Sequence, residues 1–253
     1  MIFLYFSGTR NTKFCVEYFA KKIGESKNIF SIEQPEALEA TQTEDEIIFG
    51  YPVYYSNLPK IVSDFISSHA ELWKNKKIII ICTMAAFSGD GAGVAGRLFK
   101  RYGASVIGGL HLKMPDCILD FKALKKSEED NLRIVEQTKQ KIDKTAAAYK
   151  NNKLPKEGLG ILHHIAGLLG QRLYFYNKTR KYSDKLKIDE SKCILCGKCS
   201  SLCPMHNITL EKSKIMVYGK CPMCYRCINN CPKQAITLIG RKVLAEPFDK
   251  YEF

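Results

Sequence analysis

Short apolar runs alternate with amphipathic stretches along the first 150 residues. Apolar runs that stop at turn residues predict buried strands at 2–6, 28–32, 46–49 and 77–82, and inside 104–114. Apolar positions three and four residues apart predict helices at 12–23, 59–71, through 98–103 and at 127–149. Strands without a polar face, separated by helices, predict an α/β fold with a doubly wound, five-stranded parallel sheet.

A different pattern begins after residue 150. Residues 151–185 form a basic connector, and their apolar positions recur at helical spacing on one stripe: Leu162, Ile165, Leu169, Leu173 and Tyr176. We expect this amphipathic helix to pack on the sheet or on the region that follows. A small domain is predicted at 186–240, and the tail 241–253 has no clear pattern.

The small domain contains an internal repeat of about 28 residues, marked by cysteines. The first run has the spacing C-x2-C-x2-C-x3-C-P, with Cys193, Cys196, Cys199 and Cys203. The second run repeats it with Cys221, Cys224, Cys227 and Cys231. A short strand-like piece follows each run, at 208–210 and 236–238.

This spacing is typical of ligands to two 4Fe–4S clusters. Three thiolates on one tight loop reach one cluster, and the fourth, carried away by the turn before proline, ligates the other. We therefore assign Cys193, Cys196, Cys199 and Cys231 to one cluster, and Cys221, Cys224, Cys227 and Cys203 to the second. The alternatives are zinc, which usually takes two separated ligand pairs, and disulfides. The other three cysteines, Cys15, Cys82 and Cys117, are predicted to be structural.

A hydroxyl-rich loop lies between the first strand and the first helix. Free N–H groups at a helix N-terminus, together with hydroxyl and amide side chains, predict a phosphate site there. The loop lacks both G-x-G-x-x-G and the P-loop lysine. Two later loops, after the third and fourth strands, carry aromatic residues that can stack on a ring system. The predicted cofactor-binding residues are Ser7, Gly8, Thr9, Arg10, Asn11 and Thr12; Pro52, Val53, Tyr54, Tyr55, Ser56 and Asn57; and Thr83, Met84, Ala85, Phe87, Gly89, Asp90 and Gly91.

The first loop resembles the flavodoxin pattern Thr/Ser-x-Thr-Gly-x-Thr, with Ser7, Thr9 and Thr12 matching and Arg10 in the glycine position. This resemblance covers residues 1–150. The cysteine repeat resembles two-cluster bacterial ferredoxins over residues 186–240, where a small α+β domain is expected. The whole chain thus resembles flavodoxin–ferredoxin fusion proteins of anaerobic bacteria and archaea. The resemblance implies FMN, flanked by Tyr54, Tyr55 and Phe87, and two 4Fe–4S clusters.

Electron transfer is the function that this resemblance implies, with FMN and the clusters relaying electrons to redox partner proteins. No acid–base or nucleophilic pair stands out in the sequence, so no catalytic residue is predicted. A second hypothesis stays open: an FMN-dependent oxidoreductase that reduces a small substrate with electrons from the clusters. An open flavin face would favour this second hypothesis, whereas a shielded flavin would favour the carrier.

Charge divides the chain unevenly. Residues 1–118 carry 13 Lys/Arg and 12 Asp/Glu, whereas residues 119–253 carry 26 and 14. A basic stripe can bind nucleic acid or a membrane surface, but no nucleic-acid motif is present, and we expect neither partner. The charge instead offsets the negative cofactors and favours acidic redox partners. The composition excludes a disordered chain, and without a signal peptide or an apolar run of bilayer length a cytoplasmic protein is expected.

Overall fold

A computed structural model describes residues 1–55, 57–86, 89–119, 122–169, 185–212, 214–240 and 243. Ser56 and Phe87 of the predicted cofactor site lie outside these residues, as do Leu173 and Tyr176 of the predicted connector stripe. All but one residue of the predicted tail 241–253 also lies outside them. The chain forms two compact units, one of residues 1–115 and 128–174, the other of 116–127 and 175–253.

The first unit is built on a parallel sheet of five strands in the order β2-β1-β3-β4-β5. The strands are β1 (Ile2–Tyr5), β2 (Ile29–Ser31), β3 (Glu46–Pro52), β4 (Lys77–Met84) and β5 (Ser105–Lys113). The predicted doubly wound α/β fold is confirmed, because this order is that of flavodoxin-like folds, which bind ligands beyond the carboxyl ends of the strands. The three central strands are almost wholly buried, as expected of apolar runs without a polar face.

Helices follow the strands of the first unit. They are α1 (Asn11–Ile23), α2 (Glu36–Thr43), α3 (Lys60–Ser68), α4 (Gly91–Arg101), α5 (Glu128–Lys150) and α6 (Ile161–Gly167), with a short 3-10 helix at Ala70–Trp73. On one side of the sheet, Phe49 of β3 packs edge-on against Trp73 and Phe99. Such aromatic pairs stabilise a core beyond the area that they bury. Trp73 is the single tryptophan of the chain and is fully buried, so its fluorescence reports the folding of this unit.

The chain after α5 returns to the sheet and pairs with β5. The N–H of Gly109 donates to the carbonyl of Pro155, and the N–H of Glu157 donates to the carbonyl of Gly109. A side chain at Gly109 would come within 2.5 Å of the Glu157 carbonyl oxygen. Residues 155–157 therefore lie directly against β5, and glycine permits that approach.

The described members of the connector stripe do not pack on the sheet, so that part of the prediction is wrong. Leu162 is 81% exposed, Ile165 47% and Leu169 68%. The contacts of α6 with the rest of the unit are made instead by His164, which bonds to Asp90, and by Gly167, which lies against the same aspartate. The hydrogen bond between His164 and Asp90 and the glycine contact, rather than the apolar spacing, decide which face of this helix turns inward.

The second unit consists of short elements. They are β6 (Lys187–Ile188), α7 (Lys198–Leu202), β7 (Ile208–Glu211), β8 (Lys214–Val217), α8 (Arg226–Asn229) and β9 (Ile236–Thr237), with a 3-10 helix at Lys122–Leu124. Strand β6 pairs antiparallel with β9, and β7 pairs antiparallel with β8. The two strand-like pieces predicted after the cysteine runs are thus confirmed as β7 and β9. Nowhere in the described ranges is a helix both long enough and apolar enough to cross a bilayer.

Candidate cofactor sites

The loop between β1 and α1 leads into the N-terminus of a helix. Arg10 is the residue that precedes α1, and it adopts a left-handed backbone conformation with φ of 73°. Its side chain is exposed and does not cap α1, and no acidic residue lies in the first turn of the helix. The N–H groups at a helix N-terminus carry a partial positive charge that favours an anion. The loop therefore fits a phosphate group, and Arg10 adds a cation to it.

Two residues of this loop hold it to the sheet. The hydroxyl of Thr12 is buried and lies 2.8 Å from the hydroxyl of Thr83, at the end of β4. The side-chain amide of Asn11 donates to the carbonyl of Pro115 at 2.8 Å. The first and third predicted loops are thus brought together by Thr12 and Thr83. Of the other residues, Gly8 is buried and Ser7 and Thr9 are half-buried.

The second predicted loop is a tight turn tied to β4. Pro52 is the last residue of β3, and the N–H of Val53 donates to the carbonyl of Thr83 at 2.8 Å. Tyr54 and Asn57 exchange backbone hydrogen bonds, and Tyr55 between them has a left-handed φ of 51°. Both tyrosines are half-buried.

The third predicted loop contains a buried carboxylate that sequence reasoning assigned to the cofactor. Asp90 is fully buried and lies 2.7 Å from the Arg97 guanidinium and 3.0 Å from Nδ1 of His164. Neither partner was predicted: Arg97 lies on the second turn of α4, and His164 is supplied by α6 from a distant part of the chain. Asp90 therefore joins α4 to α6. Met84, Gly89 and Gly91 are also buried, and Ala85 is half-buried.

His111 of β5 supplies a further anchor that the sequence did not reveal. Its Nε2 accepts a hydrogen bond from the N–H of Ala92, in the first turn of α4, at 3.1 Å. Its backbone N–H donates to the carboxylate of Glu157 at 2.7 Å. The pKa of the imidazole is lowered to about 4, mainly by burial; Glu157 opposes this shift, and nearby Lys141 and His163 add to it. The neutral ring is therefore the form that holds the end of the third loop.

We expect the first unit to lose stability as pH falls from about 6.5 to about 4, because His111 takes up a proton more readily in the unfolded chain. The stability that the neutral ring contributes is fully present above pH 6.5, the pKa of His111 in the unfolded chain. It is lost as the pH falls towards 4, the pKa in the folded protein. A pKa lowered from 6.5 to about 4 corresponds to about 3 kcal/mol. The urea midpoint followed by Trp73 fluorescence measures this loss.

His111→Gln should flatten that pH dependence, because the glutamine carbonyl accepts from Ala92 without titrating in this range. His206→Asn is the control, since His206 is exposed and lies in the other unit. A His111→Gln protein with the wild-type pH dependence would show that other groups cause the loss.

The cysteines of the second unit surround two cavities. The first cavity is lined by Cys193, Cys196, Cys199 and Cys231. The second is lined by Cys203, Cys221, Cys224 and Cys227. Each cavity thus takes three cysteines from one run and the last cysteine of the other run. Within the residues that the structure describes, no three His, Cys, Asp or Glu side chains are grouped to hold a single metal ion.

The backbone repeats its conformation along with the sequence. Left-handed φ values recur 28 positions apart at Leu195 and Met223, at Gly197 and Tyr225, and at His206 and Gln234. Five of these six residues are not glycine, so the packing around the loops must hold them in a conformation that is otherwise unfavourable.

Backbone N–H groups point at cysteine sulfurs in both halves of the repeat. Asn207 donates to Sγ of Cys203 at 3.2 Å, Ala235 donates to Sγ of Cys231 at 3.3 Å, and Met223 donates to Sγ of Cys221 at 3.4 Å. Such bonds favour thiolates, the form in which cysteine binds metals. The sulfurs around each cavity therefore fit an iron–sulfur cluster better than a packed apolar core.

The two cysteine sets differ in burial. Cys196 of the first cavity is exposed, whereas its repeat partner Cys224 is buried. In the second cavity, burial raises the pKa of the Cys221 thiol to about 12 and that of Cys227 well above its usual range. Loading iron there must therefore release protons. Outside both sets, Cys15 and Cys82 are buried in the first unit and Cys117 is half-buried.

Comparisons with known proteins address the two units separately. A family model described as a flavodoxin domain matches residues 2–112, and one described as a 4Fe-4S dicluster domain matches residues 185–241. No curated protein matches the chain.

Solved structures that resemble the chain include flavodoxins. The two-electron reduced flavodoxin of Megasphaera elsdenii is 18% identical, with a TM-score of 0.40, over 58% of this chain and 98% of its own. Oxidised Flavodoxin 2 from Bacillus cereus is 19% identical, with a TM-score of 0.43, over 59% of this chain and 97% of its own. The chain therefore carries a flavodoxin domain followed by a 4Fe–4S dicluster domain, and these two domains support a role in electron transfer.

Proposed function

We propose that this protein relays electrons between FMN, two 4Fe–4S clusters and redox proteins outside the chain. The observation that carries the proposal is the crossed arrangement of eight cysteines around two cavities. FMN exchanges one or two electrons and each cluster exchanges one, so the protein would convert between two-electron and one-electron carriers. The chain itself holds these groups and adjusts their potentials.

Cys193, Cys196, Cys199 and Cys231 would hold one cluster, and Cys203, Cys221, Cys224 and Cys227 the other. Each cluster would then bridge both halves of the repeat, so that neither half could separate without losing ligands. The N–H groups of Asn207 and Ala235 would stabilise the thiolates that they already face.

The loops at the carboxyl ends of the strands would hold FMN. The N-terminus of α1 and the side chains of Thr9 and Arg10 would bind its phosphate. Tyr54 and Tyr55 would contact its ring system. The ties from Thr12 and Val53 to Thr83 would keep the three loops at fixed distances, and thus limit the reorganisation that accompanies electron transfer.

Cofactor content tests this proposal. The protein is purified without oxygen, and iron, sulfide, zinc and flavin are measured per chain. We expect about eight irons, about eight sulfides and one FMN, and about four electrons taken up in a reductive titration. Zinc in place of iron, or clusters without flavin, would overturn the proposal.

We propose that electrons leave for the partner protein through the first cysteine run, which is the more exposed half of the repeat. Ile194 is 56% exposed and Leu195 41%, next to the exposed Cys196. Their repeat partners Pro222 and Met223 are buried. Lys198 and Lys233 line the same first cavity and are both exposed. An apolar centre with lysines at its rim fits an acidic one-electron carrier protein.

Reversing the two rim charges should slow this exchange. We expect the double variant Lys198→Glu, Lys233→Glu to reduce an acidic ferredoxin about tenfold more slowly at low salt, with the difference fading as salt rises. The control is Lys77→Glu, Lys100→Glu, which makes the same charge change on exposed residues of the first unit. Equal slowing in both proteins, measured by stopped-flow, would show that net charge and not this surface steers the partner.

A further inference from the structure

Asn207 is a buried polar residue in the wall of the second cysteine cavity. Its side chain is only 1% exposed, and it lines the cavity together with Cys203, Cys221, Cys224 and Cys227. Its side-chain nitrogen, Nδ2, is buried and has no hydrogen-bond partner among the described residues. Buried N–H groups are costly to leave unpaired and are almost always satisfied in native proteins. The free amide therefore indicates a partner that belongs in the cavity.

The orientation of this amide follows from its other contacts. The side-chain oxygen, Oδ1, accepts a hydrogen bond from the backbone N–H of Lys220, which only an oxygen can do. The backbone N–H of Asn207 already donates to Sγ of Cys203, and its carbonyl accepts from the N–H of Tyr218. Since these bonds hold the residue on both sides, Nδ2 is the group left to face another acceptor.

The internal repeat provides a comparison within the same molecule. Asn207 lies four residues after Cys203, and Ala235 lies four residues after Cys231. Ala235 lines the first cavity, and its backbone N–H makes the equivalent bond to Sγ of Cys231. The two cavities thus share the backbone donor at this position, whereas the second alone has a side-chain donor there.

We propose that the Asn207 amide donates an N–H···S hydrogen bond to the cluster of the second cavity and thereby raises its reduction potential. This inference rests on the proposed function, because it requires a cluster at each cysteine set. Reduction adds one electron and no proton or atom, so the sulfurs become more negative and the bond from Nδ2 becomes stronger. A donor that binds the reduced form more tightly favours reduction. Asn207 is therefore a residue that tunes a potential, and no ligand role is assigned to it.

Such a bond would set a difference between two clusters that otherwise have the same ligands. Hydrogen bonds to the sulfurs are one of the main means by which proteins separate the potentials of like clusters. The second cluster would therefore take up an electron at a higher potential than it would in a chain with alanine at both 207 and 235. The difference would bias the order in which the clusters fill.

Asn207→Ala, which copies the residue of the other half, tests the proposal. We expect it to lower the potential of one cluster, changing its equilibrium constant for one-electron exchange about tenfold, or about 59 mV. The other cluster should be unaffected. The reciprocal variant Ala235→Asn should raise the potential of that other cluster. Potentials are read by redox titration of the holoprotein with electron paramagnetic resonance.

A purely structural role for Asn207 is separated by Asn207→Leu. Leucine is close to the amide in shape, adds no charge and has no N–H to donate. It should lower the same potential as much as alanine does while the iron content stays at the wild-type value, although the apoprotein loses the bond to Lys220 and melts at a lower temperature. Unchanged potentials in this variant, or equal shifts of both clusters, would overturn the proposal. A wild-type protein without two clusters would instead overturn the proposed function.

Discussion

We expect the Cys231→Ser protein to keep about half of its iron, because serine removes one of the four ligands of a single cluster. The cluster that it loses should be the one held by the first cysteine run, although Cys231 belongs to the second. This expectation distinguishes crossed from uncrossed ligation. If each run held its own cluster, Cys231→Ser would lose the cluster of the second run instead. Iron and sulfide per chain measure the loss.

Double variants decide which cluster is lost. With crossed ligation, adding Cys196→Ser to Cys231→Ser removes little more iron, because both residues line the first cavity. Adding Cys224→Ser instead removes the remaining cluster, because Cys224 lines the second cavity. The reverse pattern would show that the runs are not crossed. Cys117→Ser is the matched control, since Cys117 is half-buried in the same unit but lies outside both sets.

Arg10→Glu should weaken FMN binding about thirtyfold, because it removes a charge-assisted hydrogen bond worth ~2 kcal/mol and places a carboxylate beside the phosphate. The fold itself should not suffer, since an acidic residue is favourable at the start of a helix. Lys21→Glu makes the same charge change at the exposed far end of α1 and should leave affinity close to wild type. Titration of the apoprotein with FMN measures both.

Arg10→Gly separates the charge of this residue from its backbone conformation. Glycine adopts φ of 73° without strain, so the apoprotein should gain about 1 kcal/mol in unfolding free energy, read from Trp73 fluorescence. FMN binding should nevertheless weaken, about tenfold, because the cation is lost. Affinity equal to or higher than wild type would show that Arg10 does not contact the phosphate.

Much of the first unit was predictable because its strands are apolar on both faces. The run at 77–82 is unambiguous, and the structure extends it only to Met84. Helix α2 was not predicted, because its sequence buries little more than Ala37 and Thr41 and so lacks a strong apolar stripe. The stripe of α6 misled for the opposite reason, since its apolar spacing is clear but the buried contacts come from His164 and Gly167.

The candidate sites were predictable where spacing along the chain carries the chemistry. The cysteine repeat is of this kind, and the predicted sets are the ones that the fold gathers around each cavity. Single residues that act across the fold gave no such signal, as with His111 and His164. The difference between Asn207 and Ala235 is visible in the sequence, because the repeat aligns the two residues. Only the structure shows that the Asn207 amide is buried without a hydrogen-bond partner, which is the observation that suggests a role.

The pairing of residues 155–157 with β5 has a consequence for how the flavodoxin domain can be made alone. β5 is an outer strand of the sheet, and a bare outer strand offers a row of unpaired backbone groups to a neighbouring molecule. The stretch that follows α5 covers part of that row. A domain cut at the end of α5 would expose the edge and invite self-association, whereas one that ends after α6 would keep it protected.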